Sequence, residues 1–285
     1  MTRWRALDSG ARPGAWNMAA DAALLAEVER GASPPAFRVY GWDPPAVSLG
    51  FHQPDPTPAE AARISALGLA WVRRPTGGRA VYHGPREAEL TYAIAARLGE
   101  AGFPAAPGDA YRWIHAVIAD ALTRVGAPVA LAPRSRAPLR PGSRRACFAA
   151  SVPGEITAGG RKLVGSAQRR ARRALLQHGS IPLAGGQSAL AEIWPGSLDP
   201  DRTTTVSAAV RRPVSFGELA AALRAAFARA LGSELEPGAL TLREERRIAT
   251  HSRAGDRLTP SFDGDDTLAR CRGISRFPIR EGSLP

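Results

Sequence analysis

The chain has 285 residues, 44% of them hydrophobic and 22% charged, enough for one large domain or two small ones and ordinary for a soluble globular protein. It has no apolar run of about 18 residues or more, Met1 to Asp8 lack the apolar centre of a signal peptide, and Cys147 and Cys271 give neither a disulfide framework nor a CxxC metal pair, so the expected compartment is the cytoplasm with no membrane partner. The net charge of +12 comes without a helix-turn-helix, zinc-finger or RNA-binding motif, and a basic surface suits an acidic protein as well as a nucleic acid.

Asn17 to Val28 reads as the first helix, with Asn17 as its cap and Leu24, Leu25 and Val28 on one face. Short extended runs punctuated by Gly and Pro follow: Phe37 to Tyr40, Ala46 to Leu49, Ala70 to Arg73, Arg79 to His83 and Glu89 to Ala95. Asp109 to Val125 is an amphipathic helix whose buried stripe is Ile114, Ile118, Leu122 and Val125. The Pro/Arg-rich stretch Ala132 to Arg145 reads as a mobile loop leading to Cys147. Beyond it, Glu155 to Ala158 and Arg161 to Val164 flank Gly159-Gly160, which signals a hairpin with Lys162 just past its turn. Ala174 to Leu183 is a further strand, and Ser215-Phe216-Gly217-Glu218 reads as a capping box opening a helix through Leu231. From about Thr250 the periodicity fades. The expected organisation is one α+β domain over residues 1–250, a mixed β-sheet flanked by helices, with 251–285 as a weakly ordered tail.

Of the 38 basic residues a single one, Lys162, is a lysine. Arginine serves wherever a positive charge suffices. It cannot serve where the amine must approach a small group closely or lose its proton near neutral pH, and burial lowers the pKa of a lysine. A lone lysine is therefore a candidate for chemistry, although one residue can also survive a coding bias without purpose. Cys147 in Arg144-Arg145-Ala146-Cys147-Phe148 is the candidate nucleophile, because neighbouring cations favour the thiolate; packing beside Phe148 is the plainer alternative. A thiolate and an amine within reach of each other form a workable acyl-transfer pair. The turn Pro75-Thr76-Gly77-Gly78 lets backbone amides approach a ligand, since no Cβ intervenes, yet such a sequence is often only a turn. His83 and His178 are candidates for substrate positioning or for structural hydrogen bonds. Five histidines without metal-ligand spacing argue against a zinc site.

Several segments occur in a fixed order: Tyr40-Gly41-Trp42 with Pro44 to Gly50, Arg73 to His83, Glu89-Leu90-Thr91-Tyr92, Gly160 to Gln168, and Leu176 to Ser180. Together they resemble the biotin/lipoate attachment superfamily over roughly residues 3–250, and most closely the cysteine-dependent octanoyltransferases of lipoate synthesis. The resemblance implies a class II biotin/lipoate ligase-like catalytic fold and transfer of an octanoyl chain without a cofactor. The donor it implies is octanoyl-acyl carrier protein. The acceptor is a lysine of a lipoyl-domain protein such as glycine cleavage H protein or a 2-oxoacid dehydrogenase E2. It puts the acyl-bearing nucleophile on Cys147 and the activating amine on Lys162. Arg74, Gly77, Gly78 and Arg79 fall on the substrate-binding loop; Gly165, Ser166 and Ala167 fall beside the acyl chain, with His83, His178 and Gly179 completing the substrate set. Relatives that use ATP generally lack the cysteine and commonly carry a third glycine where Arg79 stands. Two departures remain: Gly84 to Ala88 replaces a shorter segment containing aspartate, and Ala93 stands where a serine is common. Two other readings stay open here. One is an ATP-dependent lipoate-protein ligase, the other a non-enzymatic basic protein that binds a carrier domain or nucleic acid.

Overall fold

The computed structural model describes residues 3–132 and 154–253. The chain opens with strand β1 (Trp4–Arg12), helix α1 (Gly14–Glu29) and strands β2 (Ala36–Trp42) and β3 (Ala46–Leu49). Helix α2 (Pro58–Ala66) precedes β4 (Ala70–Arg73), β5 (Val81–His83) and β6 (Glu89–Arg97), and helix α3 (Pro107–Arg124) follows. Next come β7 (Val129–Leu131), β8 (Ile156–Ala158), β9 (Arg161–Lys162), β10 (Gly165–Arg170) and β11 (Ala174–Pro182). Two short helices, α4 (Ala189–Ile193) and α5 (Val206–Val210), lead to α6 (Phe216–Leu231), β12 (Leu235–Pro237) and α7 (Leu242–Arg253). None of the described helices is long and apolar enough to cross a membrane.

A six-stranded sheet in the order β10-β11-β6-β2-β1-β12 carries the fold. Its first four strands are antiparallel, whereas β1 runs parallel to both β2 and β12. The expected mixed sheet flanked by helices is the observed one. Helices α3 and α6 cover one face, where Ile114, Ile118, Leu122, Leu219, Leu223 and Phe227 pack on Phe37, Tyr92, Ile94 and Leu175. Helix α1 covers the other through Met18, Leu24 and Leu25, against Tyr40, Trp42, Ala93 and Leu176. Both faces of β6 and β11 are thus buried, and both strands read as runs of small and apolar residues. Two three-stranded sheets, β4-β3-β5 and β7-β8-β9, flank the main one.

Most of the expected elements lie where the sequence puts them, and the exceptions have physical causes. Asn17 does not cap α1, which begins one turn earlier after Pro13. The proline supplies a helix-compatible start, and Asn17 is buried inside the helix. Its amide donates to the carbonyls of Arg12 and Gly41, tying α1 to the sheet. The Ser215 capping box is half present: Ser215 Oγ accepts from the Glu218 amide at 3.1 Å, but Arg212 takes the Glu218 carboxylate. A full box stands at Thr57 and Glu60 of α2 instead. The Gly159-Gly160 hairpin forms as expected, pairing Thr157 with Lys162 and Ala158 with Arg161. Both glycines have positive φ, +56° and +74°, as a two-residue turn matched to strand twist requires. Of the residues expected as a tail from 251 onward, 251–253 close α7; 254–285, with Cys271, lie outside the described residues.

Candidate active site

A narrow pocket, about 330 Å³ of empty space when the open solvent at its mouth is included, lies between the α1-side face of the main sheet and the β4-β3-β5 sheet. Met18 closes it from α1, and Arg74, Val81 and His83 from the small sheet and its loop. Strand register explains the rest of the lining. In β6, β11 and β10, Thr91 pairs with Ser180, Ser180 with Gly165, and His178 with Ala167. Directly paired residues of antiparallel strands share a face, so these side chains line one wall. Gly165 adds no side chain to that wall, and behind it a Cβ on Gly179 would collide with the Gly165 carbonyl, the Tyr92 ring and the Ser166 hydroxyl.

Two polar chains brace the cavity, and each uses up its own donors. Asp21 is fully buried in α1. It accepts from Arg38 at 2.6 Å, from the Tyr40 hydroxyl at 2.8 Å and from His178 Nδ1 at 2.7 Å. Burial alone would raise the Asp21 pKa, but the Arg38 charge and these hydrogen bonds more than offset it, and the carboxyl sits below its ordinary value. Burial holds His178 below its ordinary value despite Asp21, so the ring is neutral at neutral pH. A carboxylate only accepts, so Nδ1 donates to Asp21 and Nε2 accepts from the Thr76 hydroxyl at 2.6 Å. The second chain mirrors the first. His83 Nδ1 donates to Glu89 at 2.7 Å, Nε2 meets Ser48 Oγ at 2.6 Å, and Arg74 donates to that same oxygen at 2.8 Å. Trp42 stacks on the His83 ring, with centroids 3.8 Å apart. Both histidines expected to position substrate therefore have both ring nitrogens engaged within the protein. They are walls and braces. What the cavity offers a ligand is chiefly carbon surface.

The glycine loop is held from inside. Arg74, buried, donates to the carbonyls of Ser48, Gly77 and Arg79 at 2.8, 3.1 and 2.9 Å. Gly78 has φ +93°, and its carbonyl passes so close to Gly50 that a Cβ there would collide with it. Backbone cannot swing aside as a side-chain tip can. Gly50→Ala is expected to cost about 1–3 kcal/mol and to lower activity by displacing the loop, measured as a drop in denaturation midpoint together with turnover. Unchanged stability and turnover would mean that the loop adapts.

Lys162 is 1% exposed, and its Nζ donates to Glu155 Oε1 at 2.6 Å across the β8–β9 hairpin. It is not among the cavity-lining residues, but Gly165, three residues on, is. His115 of α3 lies nearby and donates from Nδ1 to the Gly154 carbonyl at 2.6 Å, the residue before Glu155. Burial, with the Lys162 charge adding to it, pushes the His115 pKa down to about 4. As pH falls, the unfolded chain takes up this proton near 6.5 while the folded chain resists until about 4. The stabilisation is full above pH 6.5 and lost towards 4, up to about 3 kcal/mol for one such group. His115→Gln is expected to flatten the stability profile between pH 6.5 and 4, read from denaturant midpoints. A profile as steep as the parent's would remove His115 from that role.

Thus the structure gathers Arg74, His83, Gly165, Ser166, Ala167, His178 and Gly179 around one cavity; Gly77, Gly78 and Arg79 are not among its lining residues, and Arg74 ties the carbonyls of Gly77 and Arg79 to it. Cys147 lies outside the described residues. Sequence reasoning missed Asp21, Arg38, Glu89, Glu155 and Ser180. The departing segment after His83 is a turn in which the Ala88 amide donates to the Pro85 carbonyl. Arg86 there pairs with Asp8 at 2.7 Å and lies 3.5 Å over the Phe216 ring, so the insertion docks β5 and β6 against β1 and α6. Among the described residues no cluster of three His, Cys, Asp or Glu could hold a metal ion.

Residues 13–228 match the lipoyl protein ligase A/B catalytic domain. An octanoyltransferase LipM from Symbiobacterium thermophilum is 40% identical over 262 residues, covering 87% of this chain and 94% of its own length. An octanoyltransferase LipM from Kyrpidia tusciae is 38% identical over 262 residues, with the same coverages of 87% and 94%. Among solved structures, a lipoate-protein ligase A bound with ATP has a TM-score of 0.67 at 20% identity, over 87% of this chain and 92% of its own. A bi-partite lipoate protein ligase from Thermoplasma acidophilum has a TM-score of 0.63 at 18% identity, over 88% and 92%. The structural likenesses carry the fold.

Proposed function

This chain belongs to the lipoyl protein ligase A/B catalytic-domain family, and we infer from that membership and from the cavity that it works as an octanoyltransferase through an acyl-cysteine on Cys147. It is an acyltransferase of lipoate biosynthesis, acting between an acyl donor and a lipoyl-domain acceptor. The observation that carries this reading is its 40% identity to an octanoyltransferase over 94% of that enzyme's length. The lipoate protein ligases, one of them bound with ATP, share the fold at 20% identity or less, a level that does not transfer their chemistry. Arg79, in place of a third glycine, also speaks for the transferase.

The cavity takes the octanoyl chain, whose tail needs only carbon surface. The Cys147 thiolate attacks the thioester carbon of octanoyl-acyl carrier protein; a new S–C bond forms and the carrier thiol leaves with a proton. Backbone amides of the Gly77-Gly78 loop are the donors we assign to the carbonyl oxygen as it gains charge. The acceptor lysine, from glycine cleavage H protein or a dehydrogenase E2, then attacks the acyl-cysteine and expels the Cys147 sulfur. It must first lose a proton from an ordinary pKa of about 10.4, and the Lys162–Glu155 pair is the proton path we assign. Thioester to amide runs downhill, so no nucleotide is consumed. The +12 net charge favours encounter with acidic carrier domains.

Incubation of the purified chain with octanoyl-carrier and a lipoyl domain, without nucleotide, tests this. Octanoylation of the acceptor lysine is expected. Transfer that appears only with ATP and free octanoate would make the protein a ligase.

A further inference from the structure

We infer that the Ser180 hydroxyl is the cavity's side-chain contact for the substrate carbonyl, donating a hydrogen bond to the oxygen of the bound octanoyl group beside the backbone amides assigned to it above. This rests on the octanoyl reading of the cavity. Ser180 lies on β11 between Thr91 of β6 and Gly165 of β10. It lines the cavity and is 2% exposed, yet among the described residues its buried Oγ has no hydrogen-bond partner. Every other polar side chain lining the cavity makes a bond: Tyr40 to Asp21, Trp42 to Thr91, Arg74 and His83 to Ser48. Thr91 bonds to Glu89, Ser166 to Tyr92, and His178 to Asp21 and Thr76.

A buried hydroxyl without a partner is unfavourable and uncommon, and it calls for a reason. A ligand atom that completes it is one. An octanoyl thioester has two heteroatoms at its reacting end; its sulfur is a weak acceptor and its carbonyl oxygen a good one. The position agrees. Gly165, opposite Ser180, opens β10 only three residues after Lys162, so the spare donor lies at the Lys162 end of the cavity, where the reacting carbon belongs. The chain's tail then extends away from Ser180, past carbon surface.

The inference makes an unusual pair of forecasts for Ser180→Ala: an unliganded protein at least as stable as the parent, and weaker recognition of the carbonyl alone. Binding is measured in the non-reacting Cys147→Ser form with two probes, octanoyl-pantetheine and its octyl thioether, which lacks the carbonyl. Ser180→Ala is expected to weaken the thioester by about 3- to 10-fold, the worth of one net hydrogen bond, and to leave the thioether unchanged. Equal weakening of both probes, or of neither, would overturn the inference and make Ser180 a plain wall residue. Octanoyl transfer by the parent chain separates the two levels. If the parent transfers and the thioester is not weakened selectively, only Ser180's role fails. If the parent neither transfers nor binds either probe, the octanoyl reading fails and Ser180's role with it.

Discussion

Cys147→Ser is expected to abolish octanoyl transfer and the covalent acyl adduct together, while the protein stays folded. The parent, mixed with octanoyl-carrier, should gain the mass of one octanoyl group, and peptide mapping should place it on Cys147. Serine keeps the size but not the nucleophile: a hydroxyl has no appreciable anion at neutral pH, whereas a thiol beside cations does. Loss of a covalent nucleophile lowers turnover on the order of 10³-fold or more. Cys271 is the internal control, because the chain has just two cysteines. An adduct on Cys271, or an unmodified enzyme that still turns over, would remove the acyl-cysteine from the mechanism. Alkylation by iodoacetamide gives a second reading. If Lys162 stabilises the thiolate, Cys147 titrates below the free-thiol value of about 8.5, and Lys162→Met moves the titration upward.

What the sequence reveals of this molecule follows from how local each signal is. The Gly159-Gly160 turn, the three strands of the small sheet and the amphipathic stripe of α3 are written in adjacent residues and all appear. Strand β1 is not legible, because it runs parallel to both neighbours, mixes Asp8, Ser9 and Gly10 into its length, and pairs only with distant segments. The braces around the cavity are hidden for a different reason. Arg38 is one of many arginines, and nothing local marks it as the one whose guanidinium meets Asp21 inside the protein. Asp21 did carry a signal: it is a carboxylate in an alanine-rich helix whose every neighbour from Met18 to Val28 is buried. The bias that conceals Arg38 exposes Lys162. His83 and His178 stood out as residue types, but only their partners show that both nitrogens are already spent.

Lys162→Arg is expected to lower turnover by about 10²- to 10⁴-fold, the range typical of acid–base assistance, and to leave carrier binding nearly intact. The side chain is almost fully buried, with its amine 2.6 Å from Glu155. A guanidinium is planar, larger than an ammonium and permanently protonated, so it retains the charge but loses the fit and the proton transfer. Lys162→Ala is a poorer test alone. It leaves Glu155 buried beside a void, and breaking a buried pair on one side costs about 3–5 kcal/mol, so lost activity could be lost fold. The double variant Lys162→Met with Glu155→Gln removes both charges and should recover much of that stability while remaining inactive. If Lys162 served only as positive potential for docking an acidic carrier, Lys162→Arg would keep most of its turnover, and the Lys162→Met defect would lie in carrier affinity and change with salt. Turnover, carrier affinity and denaturation midpoint measured together for these variants separate the cases, and an active Lys162→Arg enzyme would end the proton-path assignment.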